Sequence, residues 1–328
     1  MQLRQLGRNG PSVSALGLGC MGFSGGYGPV DDRDSIATVH AALEAGVTYL
    51  DTGDFYGTGQ NEMLLGQALK GKREKAFIAV KFGALRGPDG AWHGSDNRPA
   101  AVKNFLAYSL QRLGTDYIDL YQPARVDPAV PIEETVGAIA DMVQAGYVRH
   151  IGLSEAGADN IRRARNVHPI AALQIECSLM SRGVEATILP VLRELGIALV
   201  AYGVLSRGLI ADHALAGAPV GEIRSRMPRF QGDNLARNRA LVEALQAIAK
   251  DKGCTTAELA IAWVASRGDD VIPLIGAKRP AQLTSALRAL DITLSSADLA
   301  RIEAAMPSAA VAGERYGAAL MAHLDSEH

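Results

Sequence analysis

Cysteine is scarce in this chain of 328 residues, which has only Cys20, Cys177 and Cys254, widely separated and odd in number. That excludes a disulfide framework and the Cys-x-x-Cys spacing of redox and zinc sites, and it predicts a reducing, cytoplasmic setting. No run of ~18 or more apolar residues occurs, the length a spanning helix requires. The first ten residues also lack the apolar segment of a secretory signal, so a soluble, unprocessed protein away from membranes is expected. An excess of one charge sign is missing too. The 33 Lys and Arg face 35 Asp and Glu, for a net charge of −2, which argues against nucleic acid as a partner. No Gly-x-Ser-x-Gly or His-Glu-x-x-His occurs and no histidines stand at metal-ligand spacing, so hydrolytic chemistry has neither nucleophile nor metal.

What is present is a large apolar fraction, 48%. It excludes disorder and supports a sizeable core, and the length admits two domains or one large barrel. Short apolar runs alternate with amphipathic segments along almost the whole chain. They predict strands at residues 15–21, 48–51, 77–81, 117–121, 148–153, 172–175, 198–202 and 271–273, each followed by a helical pattern. Ile132, Val136, Ile139 and Val143, just after Pro131, form one such stripe. The alternation predicts an α/β fold in which residues 1–328 make a single (β/α)8 barrel domain. Residues 1–14 are expected to form a hairpin, with Arg8, Asn9 and Gly10 at its turn, closing the bottom of the barrel. Residues 203–234 predict a long loop on the C-terminal face, and the segment 313–316 folds back over a site or frays.

Gly17, Gly19 and Gly22 match the spacing Gly-x-Gly-x-x-Gly of a dinucleotide-binding turn. That turn must open directly into a helix, whereas Gly25, Gly26, Gly28 and Pro29 intervene here before a helix begins. A glycine-rich first barrel strand is the expectation instead.

The informative motif is Gly46-Val47-Thr48-Tyr49-Leu50-Asp51-Thr52-Gly53-Asp54-Phe55-Tyr56-Gly57, followed by Glu62 and Gly66. A carboxylate ending one strand, a tyrosine in its loop and Lys81 ending the next strand converge on the C-terminal mouth, where barrels carry their chemistry. A phenol is a poor acid near neutrality, and Lys81, paired with Asp51, is expected to lower the pKa of Tyr56.

This pattern resembles the aldo-keto reductase superfamily, in its bacterial and plant branch, from Leu6 to about Met306. Gly152-Leu153-Ser154, Gln174 and Tyr202 match it in order. The resemblance implies an NADP-dependent oxidoreductase that reduces aldehydes or ketones to alcohols, with Asp51, Tyr56 and Lys81 catalytic and Tyr56 the proton donor. It implies NADPH or NADP+, in preference to NADH, as cofactor. Ser154 and Gln174 would hold the carboxamide, Tyr202 would stack on the nicotinamide, and Leu205, Ser206, Arg207 and Gly208 would wrap the pyrophosphate. Gly276, Lys278, Arg279 and Gln282 would meet the adenosine 2′-phosphate. The substrate, a small carbonyl compound, would be lined by Phe23, Phe55, Trp92, Pro123, Ala124 and Arg125, with Phe230 and Tyr316 near the rim. Monomer and homo-oligomer are both compatible. The alternative is a nicotinamide-binding redox sensor with little turnover.

One departure is large. Where relatives of this branch read tyrosine, glutamine, histidine, arginine, this chain has Gln122, Pro123, Ala124 and Arg125, so a methyl group takes the histidine's place. Three readings follow: chemistry on Tyr56 and Lys81 alone, which is preferred; a substitute group, either His93 or Arg125; or cofactor binding without turnover.

Overall fold

The computed structural model describes residues 1–211 and 223–327. The strands among them are β1 Leu3–Gln5, β2 Ser12–Ser14, β3 Gly17–Gly19, β4 Tyr49–Gly53, β5 Phe77–Phe82, β6 Ala84–Arg86, β7 Trp92–Ser95, β8 Ile118–Pro123, β9 Val148–Ser154, β10 Ile170–Glu176, β11 Ala198–Tyr202 and β12 Val271–Gly276. Eight of them, in the order β3, β4, β5, β8, β9, β10, β11, β12, pair in parallel and close when β12 meets β3. The helices α1 Asp32–Glu44, α2 Gln60–Ala68, α3 Pro99–Leu113, α4 Ile132–Gln144, α5 Ala158–Val167, α6 Gly183–Thr187, α7 Leu189–Leu195, α8 Gly232–Asp251, α9 Thr256–Ala265, α10 Pro280–Arg288 and α11 Ser296–Ala305 follow the strands, and α12 Ala318–Met321 lies in the tail. This is the (β/α)8 barrel that the alternation predicts.

Successive side chains of a strand face opposite ways, so each barrel strand feeds two cores. Tyr49, Ala79, Leu120, Ala172, Ala198, Val200, Ile272 and Leu274 fill the interior. The alternate positions, such as Leu50, Ile78, Val80, Leu153 and Leu173, pack outward with the buried stripes of the helices, among them Ile132, Val136 and Ile139 of α4. Strands β1 and β2 pair Leu3 with Ser14 and Gln5 with Ser12, which puts Arg8, Asn9 and Gly10 in the turn. Leu6 and Val13 of this hairpin join the interior cluster and plug the barrel bottom.

The first barrel strand is shorter than its apolar pattern, because residues 20–24 wind into a short 3-10 helix. Its glycine content has a steric cause. A Cβ on Gly17 would lie 2.8 Å from the Tyr49 ring and 2.9 Å from the Leu274 side chain. Several other strands run past their apolar patterns, to Phe82, Pro123, Ser154, Glu176 and Gly276. Those added positions include polar residues, which a search for hydrophobic runs passes over.

Gly66 marks a second close approach. A methyl group there would lie 2.7 Å from the Leu113 carbonyl oxygen and 2.8 Å from that of Arg112, where α2 crosses the end of α3. Backbone atoms cannot yield as a flexible side chain can, so Gly66→Ala is expected to destabilise the fold by ~1–3 kcal/mol. Urea unfolding checks this; an unchanged midpoint would mean that the crossing is loose. Among the described residues, no helix is long and apolar enough to cross a membrane.

Candidate active site

The strand register carries the site. Gly53 lies beside Lys81, Lys81 beside Gln122, and Ser154 beside Gln174. Polar residues at inward-facing strand ends therefore meet at one mouth. There the buried Lys81 ammonium lies 2.6 and 2.7 Å from the two oxygens of buried Asp51 and 3.2 Å from the Thr52 carbonyl. Gln174 donates from Nε2 to the same carboxylate at 2.7 Å. Burial pulls Lys81 below the usual lysine value, and Asp51 works against that by holding its proton.

Tyr56 stands in the turn after β4, its ring centroid 5.1 Å from Lys81 Nζ and 4.8 Å from the Phe55 ring, edge to face. The expected lowering of its pKa is not found. Burial pushes the phenol well above its ordinary value and the Asp51 charge adds to the rise, while Arg125 opposes it. The main reason is burial, which disfavours the charged phenolate, and the Asp51 carboxylate beside Lys81 adds to it. The phenol keeps its proton near neutrality, as a donor must.

The residues expected to meet a nucleotide line the β9 to β12 side. Ser154 and Gln174 are buried neighbours on β9 and β10. Tyr202 donates to Glu155 Oε1 at 2.5 Å and lies 3.0 Å from the Tyr316 hydroxyl. In the loop after β11, Leu205 packs on the outer core and the Ser206 hydroxyl lies 3.1 Å from that of Ser178. Ser206, Arg207 and Gly208 follow with φ of 45, 56 and 88°, two of them strained left-handed non-glycines of the kind concentrated at functional sites. Arg207 pairs with Glu176 at 2.9 Å and lies 4.6 Å from the Tyr316 ring centroid. Residues 212–222 of the predicted long loop lie outside the described residues. Gly276 ends β12, and beyond it Gln282 Oε1 accepts from the backbone N–H groups of Lys278 and Arg279, shaping the turn that carries both cations. Lys278 Nζ donates to the Tyr27 carbonyl at 2.7 Å.

Glu155, which the sequence reading passed over, organises this side. It is fully buried at φ 53° and accepts from Glu176 N–H, Tyr202 and both terminal nitrogens of Arg315, and from Ser326. Burial alone would raise its carboxyl, but the hydrogen bonds and charge of Arg315 bring it down to about 2. The segment 313–316 thus folds back over the mouth, fastened by Arg315. No pattern near Glu155 announces this, since its partner lies 160 residues further along.

The expected substrate residues separate. Phe55, Trp92 and Arg125 stand at the rim, half-buried. Phe23 and Phe230 are packed in the outer core. Pro123 pairs with Phe82, whose ring packs outward against Tyr121 and Phe105, so Pro123 shares the outward parity. Ala124 is buried and His93 is exposed on β7, whereas the charge of Arg125 acts on Tyr56. Below Ala124, fully buried Gln122 has neither amide atom partnered.

Buried Asp54, two residues before Tyr56, and buried Glu62 of α2 each keep one oxygen without a partner among the described residues. Burial first, and then the Glu62 charge, raise Asp54 to about 7. A carboxyl whose folded pKa is raised favours the fold below its unfolded pKa near 4, and that contribution is lost as pH rises through about 7. Asp54→Asn is therefore expected to be the more stable protein at pH 8, by ~2–4 kcal/mol, with the gap closing toward pH 4. Urea midpoints across that range test it, and parallel curves would contradict it.

Comparison with known proteins follows this geometry. Residues 15–307 match the model of the Aldo/keto reductase family. The chain is 45% identical over 317 residues to a soybean (Glycine max) protein described as "Probable aldo-keto reductase 1", covering 95% of this chain and 91% of that one. Among solved structures, a glycerol dehydrogenase from Gluconobacter oxydans superposes with TM-score 0.84 at 29% identity, over 93% of this chain and 96% of that one. A holo-form aldo-keto reductase from Bacillus halodurans gives 0.79 at 30%, over 94% and 97%.

Proposed function

The chain belongs to the aldo/keto reductase family, oxidoreductases that use nicotinamide cofactors, and on that premise we propose that it reduces small aldehydes or ketones to alcohols with NADPH. The observation that carries the reading is the buried Asp51–Lys81 pair with the protonated Tyr56 phenol across the Lys81 ammonium. We take residues 1–328 to act as one barrel unit.

The residues present suit such a cofactor. At the strand ends where it would pass, β3 and β12 carry Gly19 and Gly276, and a Cβ on Gly276 would meet nothing nearer than the Gly19 carbonyl oxygen, 4.0 Å away. The Ser154 hydroxyl and Gln174 Oε1 offer the polar pair that a carboxamide needs to fix its orientation. Tyr202 would flank the ring, Arg207 and its neighbours the pyrophosphate, and Lys278 and Arg279 a 2′-phosphate. When bound, the nicotinamide supplies a hydride to the carbonyl carbon. Tyr56 gives its proton to the carbonyl oxygen, and Lys81, fixed by Asp51, holds the phenol in place. With Ala124 where relatives have histidine, Tyr56 is the sole acid in this scheme.

Rapid mixing of the NADPH-loaded protein with a panel of aldehydes and ketones tests this, through the loss of NADPH absorbance. Oxidation within a single turnover is expected for at least one class of carbonyl; none for any would sink the reading. Lys278→Met is expected to raise KM for NADPH by ~10-fold or more while changing KM for NADH little, because a charge-assisted phosphate contact is lost. Equal changes for the two cofactors would remove the 2′-phosphate assignment.

A further inference from the structure

The substrate rim is rich in donors and poor in counter-charges. Arg125 follows Ala124 directly, its backbone tied to the base of the β6–β7 hairpin by Asn97, which donates from Nδ2 to the Arg125 carbonyl at 2.8 Å. Its guanidinium is half-buried, and its one hydrogen bond among the described residues goes to the Ala124 carbonyl. On the hairpin, Arg86 lies over the Trp92 ring at 5.3 Å and over the Phe55 ring at 6.0 Å, and Phe55 in turn abuts Tyr56. Among the described residues, the buried Trp92 indole N–H has no acceptor.

Nearby carboxylates are already engaged. Asp89 accepts the Ala91 N–H, and Asp96 holds Arg98. Asp127 accepts the N–H groups of Asn97 and Ala129, and Glu155 has its five bonds to the tail and its neighbours. Among the described residues, neither Arg86 nor Arg125 has a carboxylate within ion-pair distance. The Arg125 charge is supported only at a distance, by Tyr202, Tyr316 and Glu155, and a contacting anion would complete it. The charge of Arg125 also acts on Tyr56 and Lys81, so that anion would sit next to the reacting carbonyl.

We propose that Arg125, Arg86 and the Trp92 N–H form an anion subsite, and that the preferred substrates are small aldehydes or ketones bearing a carboxylate or a phosphate. This rests on the reductase reading above and narrows its substrate class. Arg125 is the anchor. Arg86, exposed and already donating to the Gly90 carbonyl at 3.2 Å, contributes less.

Matched probes test the subsite: 4-carboxybenzaldehyde against its methyl ester, and glyceraldehyde 3-phosphate against glyceraldehyde. In the unmodified protein, kcat/KM for the anionic member of at least one pair is expected to exceed that of the neutral member by ~10–100-fold, chiefly through KM. The pair with the larger ratio identifies the anion. Arg125→Met should bring that ratio to about one, Arg125→Lys should restore part of it, and Arg86→Met should reduce it less. Ratios of one or below in the unmodified protein overturn the proposal. So does an Arg125→Met that lowers both members equally through kcat, which would make Arg125 the substitute for the missing histidine. Calorimetry with benzoate and benzamide gives a readout free of turnover, benzoate binding being expected only where Arg125 is present. If neutral carbonyls are reduced without anion preference, the subsite fails and the reductase stands. If nothing is reduced but benzoate binds through Arg125, the reductase fails and the subsite stands.

Discussion

Tyr56→Phe is expected to lower the single-turnover rate of carbonyl reduction by about 10²–10⁴-fold, with binding of NADPH unchanged. The change removes one oxygen and keeps the ring that packs edge-on against Phe55 at 4.8 Å, so packing is a weak source of any loss. The loss is of the proton. As hydride reaches the carbonyl carbon, charge builds on oxygen, and with Ala124 beside the strand end no imidazole shares the task. Because burial and the Asp51 charge keep the phenol protonated well past its usual range, the unmodified enzyme should hold its reduction rate as pH rises to about 9. A Tyr56→Phe rate within threefold of the unmodified protein would transfer the acid role elsewhere, with Arg125 and Gln122 the groups to test next.

Arg315→Met is expected to destabilise the protein by ~3–5 kcal/mol, since it leaves the Glu155 carboxylate buried and unpaired. Glu155 also anchors Tyr202 and the Glu176 N–H, so the tail and the β9 to β11 side of the mouth loosen together. The pH sense follows from the Glu155 carboxyl held at about 2. A depressed carboxyl contributes stability above its unfolded pKa near 4.3, and that contribution disappears as pH falls toward 2. The unmodified protein should lose stability over that window, and Arg315→Met should show a flatter curve. Limited proteolysis gives a second measure, with cleavage after residue 313 appearing sooner in the variant. Equal stability and equal cleavage would make the strap ornamental.

Much of this architecture is legible in the residues. The periodicity of β4, β5, β10 and β11 is carried by apolar side chains that fill two cores, and such periodicity survives in a single sequence. Asp51, Tyr56 and Lys81 were legible because they occupy two consecutive strand ends and the loop between them. Glu62 and Gly66 were legible only as a pattern; the fold supplies their reasons, an ion pair with Arg112 and a backbone crossing. Glu155 and Gln122 were not legible. One takes a left-handed conformation that its residue type does not advertise, and the other is an amide whose meaning depends on facing inward beside Lys81. The direction of the Tyr56 shift is not legible either, because it is set first by the burial of the phenol, which a short motif does not show.

The strap also fixes a time of assembly. Glu155 must wait 160 residues for Arg315, and on a ribosome that delay is real, since chains emerge at a few to tens of residues per second. The last barrel strand ends at Gly276, well before the strap, so a nascent chain can close its barrel while the mouth still lacks its fastening.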